Sequence, residues 1–282
     1  MRRSTTSVAT ERSARPLLGL LLVVELIVAV ALLGRSVDAP AASPAPASTV
    51  PGTPTAAPGT ALVLRDGRTA ELLVLSGNRG AELAARIRAE LDAAADAVTA
   101  FWGDDWPRHV VLVLTGTDEQ FDAIGGGGSD IAATTTAQRI AFAPGAAAMS
   151  ADSLRIVVRH ELFHYAARAE TATDAPRWLT EGVADFVGRP PAPVPGAERA
   201  AELAVLPTDA DLDTPGRVRS LAYDRAWWFS RFVADRYGTA ALRQLYLAAC
   251  GDGHTDTDTA IQSVLGADVA EVVAAWRAWL AG

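Results

Sequence analysis

Lysine is absent from this chain of 282 residues and cysteine occurs once, which closes two common routes to structure and chemistry. A single cysteine, Cys250, cannot form an intrachain disulfide, so the fold must be held by its core and by any metal it binds. Cys250 itself reads as a small residue buried at a helix end, the other option being a disulfide to a second chain. Without lysine, the four glycines at 125–128 lack the Lys-Ser or Lys-Thr that makes a phosphate-binding loop. They read as a flexible connection, or else as a mobile flap over a cleft. Arginine supplies all 25 cations against 33 acidic residues, for a net charge of −8. With four Arg and one Glu in residues 1–15, the rest of the chain carries −11 and makes a poor partner for nucleic acid.

Long apolar runs are also scarce, with one exception. Residues 17–34 are apolar apart from Glu25 and follow Arg2, Arg3, Arg12 and Arg15. Eighteen such residues are enough for a membrane span, and the flanking arginines place the N-terminus in the cytoplasm. An uncleaved anchor is favoured over a secretory signal, because the apolar core is long and the small-residue site around Ala39 is poor. Glu25 carries no functional reading. Residues 39–60 are rich in Pro, Ala, Ser and Thr without periodicity, which gives an extended stalk of about 3.1 Å per residue. The layout expected is a basic cytoplasmic N-terminus at 1–15, a transmembrane helix at 16–35, a linker at 36–60 and one extracytoplasmic domain at 61–282. A domain of that length can bury its own core.

Within the domain, residues 71–75 and 109–114 have strand composition, and residues 80–101 repeat Leu83, Ile87, Leu91, Ala94 and Val98 at helical spacing. Residues 131–136 and 139–143 read as a hairpin. Beyond a proline-rich break at 188–196 the pattern is helical, with helices expected at 198–206, 221–237, 240–250, 257–265 and 269–280. The fold class expected is α+β, an N-terminal lobe of mixed sheet and helix facing a C-terminal helical lobe across a cleft. Two acidic runs resemble calcium loops only superficially. Asp209, Asp211 and Asp213 lack the Gly and closing Glu of an EF-hand, and Asp252, Asp256 and Asp258 stand in a Gly/Thr loop just before a helix, whose capping explains them. Both read as solvated loops.

Histidine is rare, four in the chain, yet two of the four stand in His160-Glu161-Leu162-Phe163-His164. On a helix, residues four apart lie one above the other, so both imidazoles can hold one ion while the carboxylate of Glu161 reaches a water beside it. Residues 151–170 hold no Gly or Pro, which gives the motif the helix it needs. Zinc usually takes a third protein ligand and keeps one position open. Glu181, in Trp178-Leu179-Thr180-Glu181-Gly182, is separated from His164 by sixteen residues and stands near the start of a further helix.

These residues resemble the gluzincins, the thermolysin-like zinc metallopeptidases, closely over about residues 150–190 and elsewhere only in the order of elements. The resemblance implies that His160, His164 and Glu181 bind Zn2+ and that Glu161 is the general base. It also implies that Asp185, four residues after Glu181, orients a ligating histidine from behind. An edge strand bordering the cleft, placed at 139–143, would pair with a peptide substrate. A tyrosine or histidine from the downstream lobe would stabilise the oxyanion, here Tyr223, with His254 as second choice. The Gly-x-Met-Glu-Asn segment by which related aminopeptidases hold a substrate amine is missing.

The function expected is a membrane-anchored extracytoplasmic zinc metallopeptidase acting on peptides or proteins. A noncatalytic zinc-containing cell-envelope binding module is the alternative, and hydrolysis of a nonpeptide amide or ester would use the same groups. Structural zinc sites are usually closed by four ligands rich in cysteine, whereas three ligands and no thiolate favour catalysis. The sequence does not indicate the oligomeric state.

Overall fold

The computed structural model describes residues 60–75, 78–125 and 131–282. The basic N-terminus, the apolar run at 17–34 and nearly all of the linker lie outside the described residues, as does most of the glycine run. Among the described residues, no helix is long and apolar enough to cross a membrane.

Five strands form one mixed sheet: β1 (Thr60–Val63), β2 (Thr69–Val74), β3 (His109–Leu114), β4 (Ala133–Thr135) and β5 (Ile140–Phe142), in the order β1-β2-β3-β5-β4. The hairpin pairs β1 with β2 and β4 with β5 are antiparallel, while β2, β3 and β5 run parallel. The parallel step from β2 to β3 needs a crossover, and helix α1 (Asn78–Trp102) supplies it. Its predicted stripe of Leu83, Ile87, Leu91, Ala94 and Val98 is buried throughout. Strand β1 starts on the last residue assigned to the linker, and a short helix α2 (Asp118–Ala123), capped by the Thr117 side chain, went unforeseen.

Helix α3 (Ala151–Ala167) begins at Ser150, whose hydroxyl accepts from the Ser153 amide, and the expected last turn tightens to a 3-10 segment, Arg168–Glu170. Then come α4 (Arg177–Gly188), α5 (Ala197–Leu203), α6 (Asp209–Asp213), α7 (Arg217–Tyr237), α8 (Thr239–Cys250), α9 (Thr257–Leu265) and α10 (Val269–Ala281). The lobes share one core rather than meeting only at a cleft. Phe163 of α3 stacks edge-on against Phe101 and Trp102 of α1 and Tyr246 of α8, at centroid distances of 5.8, 5.6 and 5.6 Å. Cys250 is buried at the end of α8, where desolvation pushes its thiol pKa up, in keeping with a packing residue.

Two expectations are corrected. The segment at 139–143 is not the edge of the sheet: β5 lies between β3 and β4, and β4 takes the edge beside α3. Residues 209–213 are not a solvated loop either, but the short helix α6, closed by a capping box between Thr208 and Asp211. Asp256 caps α9 as expected, accepting from the Thr259 amide at 2.9 Å.

Candidate metal centre

Three elements converge at the site. Helix α3 presents His160, Glu161 and His164, α4 presents Glu181 and Asp185, and β4 brings Thr135. The position of α4 is set at both ends. Pro176 precedes it and offers no side-chain cap, so the first N–H groups need an outside acceptor. Asp209 provides one, receiving the amides of Arg177 at 3.1 Å and Trp178 at 2.9 Å. Further along, a Cβ on Gly182 would stand 2.6 Å from the carbonyl oxygen of Ala226, so only glycine lets α4 lie this close to α7. A Cβ on Gly188 would come within 3.1 Å of the Ile156 carbonyl oxygen, so the approach to α3 is also tight.

The ligand-type atoms of His160, His164 and Glu181 all lie within 4.8 Å of one another. The two Nε2 atoms are 3.0 Å apart, and the Glu181 carboxylate reaches His160 Nε2 at 3.2 Å and His164 Nε2 at 3.6 Å. All three residues are buried, and neither Glu181 oxygen has a hydrogen bond. Buried polar atoms are rarely left so, and an orphaned carboxylate facing two imidazoles fits a cation between them.

Behind these three candidate ligands, Asp185 Oδ1 lies 3.0 Å from His160 Nδ1, which leaves Nε2 of that ring pointing at the centre. The other Asp185 oxygen is 2.6 Å from Arg189, and Arg189 reaches Asp224 at 3.2 Å. Arg189 and Asp224 were not anticipated. The i,i+4 spacing of Asp185 and Arg189 on one helix is the signal that could have found the first. Thr135 was also missed, because a threonine in a short strand carries no motif. Its hydroxyl lies 2.5 Å from Glu161 Oε2, while Glu161 Oε1 is buried without a partner.

The electrostatics follow from burial and these contacts. Burial favours neutral His160, but the Asp185 and Glu181 carboxylates outweigh it and lift its pKa to about 10. Burial likewise resists charge on Glu181, yet His164 and His160 bring its pKa down to about 2. For Glu161, desolvation wins over the nearby imidazoles and the carboxyl pKa is raised. Tyr223 is buried in α7 with an unpartnered hydroxyl, its pKa pushed well up by burial and by the Glu181 and Asp185 carboxylates nearby. It remains a donor at any ordinary pH. His254 is apart from this group, bonded to the Thr255 carbonyl at 2.9 Å and facing Asp174 at 3.4 Å.

A cavity of about 860 Å³ opens beside the centre. Its walls are the β4–β5 turn from Thr135 to Arg139, the end of α3 at His164 and Arg168, the start of α4 at Arg177 and Thr180, and Asp209 and Asp213 of α6.

No family model matches the chain, and no curated protein matches it. Among solved structures, a glutamate-to-alanine mutant of the M1 zinc metallopeptidase from Deinococcus radiodurans is similar at 17% identity and a TM-score of 0.44, over 80% of this chain and 51% of that one. A two-domain M1 zinc metallopeptidase mutant bound to L-arginine is similar at 18% identity and a TM-score of 0.43, again over 80% and 51%. The chain spans about half the length of these structures.

Proposed function

We propose that this chain is a zinc metallopeptidase of the gluzincin type that hydrolyses peptide bonds. One observation carries the reading: two imidazole nitrogens and a carboxylate without hydrogen bonds, all buried, stand within 4.8 Å of one another beside an open cleft. Nitrogen and carboxylate donors with no thiolate match the ligand set of catalytic zinc, so His160, His164 and Glu181 would hold it. The ion supplies Lewis acidity, acidifying a water and polarising a carbonyl oxygen.

The chain's own groups do the rest. Glu161 takes the proton of the attacking water and passes it to the leaving amine. One of its oxygens is held by Thr135, and the other is without a partner and free to receive that proton. Tyr223 donates its hydroxyl hydrogen bond to the oxygen that becomes negative when water adds to the carbonyl. Asp185 keeps His160 in the tautomer that offers Nε2. The wall of the cleft at Thr135 and Thr136 includes the end of the edge strand β4, where an extended peptide has room to lie. The apolar run at 17–34 extends the reading to a membrane-anchored enzyme with its domain outside the cell, a proposal that rests on sequence alone.

The test is metal analysis of the purified full chain together with digestion of a mixed peptide library. One zinc per chain with cleavage is expected. His160→Ala should lose both, and Glu161→Gln should keep the zinc and lose cleavage. An active Glu161→Gln would remove Glu161 from its role, and a wild-type chain without zinc would sink the reading.

A further inference from the structure

The charges around the cleft do not cancel evenly. Six charged side chains line it: Arg139, Arg168, Arg177, Asp174, Asp209 and Asp213. Arg177 and Asp213 pair at 2.8 Å. Asp209 is occupied by the amides of Arg177 and Trp178 at the N-terminus of α4, where the helix dipole also favours an anion. Asp174 has a side chain 83% exposed and faces His254 at 3.4 Å, so water and salt screen it. Arg139 and Arg168 remain. Arg168 gives one long hydrogen bond, 3.3 Å, to the Thr171 carbonyl, and among the described residues no polar partner holds the Arg139 side chain. Both residues are half-buried.

Their positions matter more than their number. Arg168 follows His164 by four residues and keeps helical dihedrals, φ −56° and ψ −39°. It therefore continues the face that carries His160 and His164, about 6 Å further along. Arg139 stands in the β4–β5 turn, another wall of the same cleft. Thr135 touches Glu161, and the next residue, Thr136, donates its amide to the Arg139 carbonyl at 2.9 Å. Two arginines from separate elements thus line one cleft together with His164 of the metal group. A peptide advances about 3.3 Å per residue, so Arg168 lies about two residues from the centre.

We infer that this cleft selects peptides carrying a carboxylate within about two residues of the cleaved bond, received by Arg139 and Arg168. The inference rests on the peptidase reading of the same site. The carboxylate can come from an Asp or Glu side chain or from a free C-terminus.

The test measures binding rather than cleavage, by fluorescence anisotropy on the zinc-loaded full chain carrying Glu161→Gln. Three labelled hexapeptides serve as probes: an internal Glu with an amidated end, an internal Gln with an amidated end, and an internal Gln with a free C-terminal carboxylate. The Glu peptide is expected to bind about tenfold more tightly than the Gln amide, as a charge-assisted hydrogen bond allows. That advantage should vanish in the Arg139→Gln, Arg168→Gln double variant. Preference for the free-acid Gln peptide, also lost in the double variant, would support the inference and assign the carboxylate to the chain end. Equal binding by all three, no binding by any, or a preference that survives the double variant overturns it. Selective binding by a protein whose unsubstituted form cleaves none of the peptides would overturn the peptidase reading instead. Indiscriminate binding with cleavage of all three would do the reverse.

Discussion

The hydroxyl of Thr135 donates to Glu161 Oε2 at 2.5 Å and also lies 3.2 Å from the carbonyl oxygen of the same residue. A strand residue 26 positions earlier in the chain thereby fixes the rotamer of the proposed base. Thr135→Val keeps the shape and removes the hydrogen bond, leaving a second Glu161 oxygen unpartnered. The expected result is a fall in kcat of about tenfold with KM and zinc content unchanged, since general-base catalysis depends on placement. Thr135→Ser should restore most of the rate. A Val variant with wild-type kcat would show that Glu161 needs no such support.

Tyr223 invites a similar test, because its buried hydroxyl has no hydrogen-bond partner among the described residues. An orphaned donor of that kind is costly, and a developing oxyanion would be a fitting partner for it. Tyr223→Phe removes only the hydroxyl, so kcat should drop at least about tenfold while the melting temperature holds or rises slightly. Loss of less than about threefold in kcat would take the role away.

The residues of the candidate centre were legible where their spacing was local. His160 and His164 stand four apart on one helix with Glu161 beside them, and Glu181 and Asp185 four apart on another, so period alone places each i,i+4 pair on one face. The main helices were equally plain, because Leu83 to Val98 repeat at 3.6-residue spacing and Asp256 marks a helix start. What escaped was contact between distant segments. Thr135 reaches Glu161 only because β4 is the edge strand, and the order of strands is not written in any one of them. Asp209 looked like a loop carboxylate because its partners, the amides of Arg177 and Trp178, lie more than thirty residues away. Gly182 has no explanation within its own helix, where glycine is unfavourable, and its cause is the Ala226 carbonyl of a different helix.

Charge in the centre predicts how chelator-treated protein responds to pH. His160 has its pKa raised from an ordinary 6.5 to about 10, so its contribution is fully present below pH 6.5 and is lost as pH rises through about 10. Glu181 has its pKa lowered from 4.5 to about 2, so its contribution is present above pH 4.5 and is lost as pH falls through about 2. Together they give greatest stability between those ordinary values, with decline on either side. Calorimetry of the chelated full chain should show its melting temperature falling between pH 6.5 and 9, and the zinc-loaded chain should lack that fall. Zinc uptake at pH 7 should release a proton from His160, measurable in weakly buffered dye solution. A flat profile in the chelated protein would contradict the pairing of His160 with Asp185 and Glu181.

The last prediction concerns Asp185, which joins the centre to a partly buried chain of charge. Its Oδ1 meets His160 Nδ1 at 3.0 Å, its Oδ2 meets Arg189 at 2.6 Å, and Arg189 in turn meets Asp224 at 3.2 Å. The carboxylate thus has two tasks, orienting the proposed ligand His160 and neutralising a cation. Asp185→Asn separates them, since an amide oxygen can still accept from the imidazole N–H while the charge is gone. Zinc affinity should weaken about tenfold in Asp185→Asn and about a hundredfold in Asp185→Ala, the range known for groups that support metal-binding histidines. Arg189→Met tests the second task alone, because it leaves His160 its partner but strips Asp185 of its counter-charge. Loss of the cation should cost stability of about 3 kcal/mol or more, as expected when one member of a buried pair is removed, with a smaller effect on zinc. Competition titration with a chromogenic chelator and urea unfolding measure the two separately. If Arg189→Met weakened zinc as much as Asp185→Ala, the two tasks would be one, and the position of His160 would depend on the whole chain through Asp224.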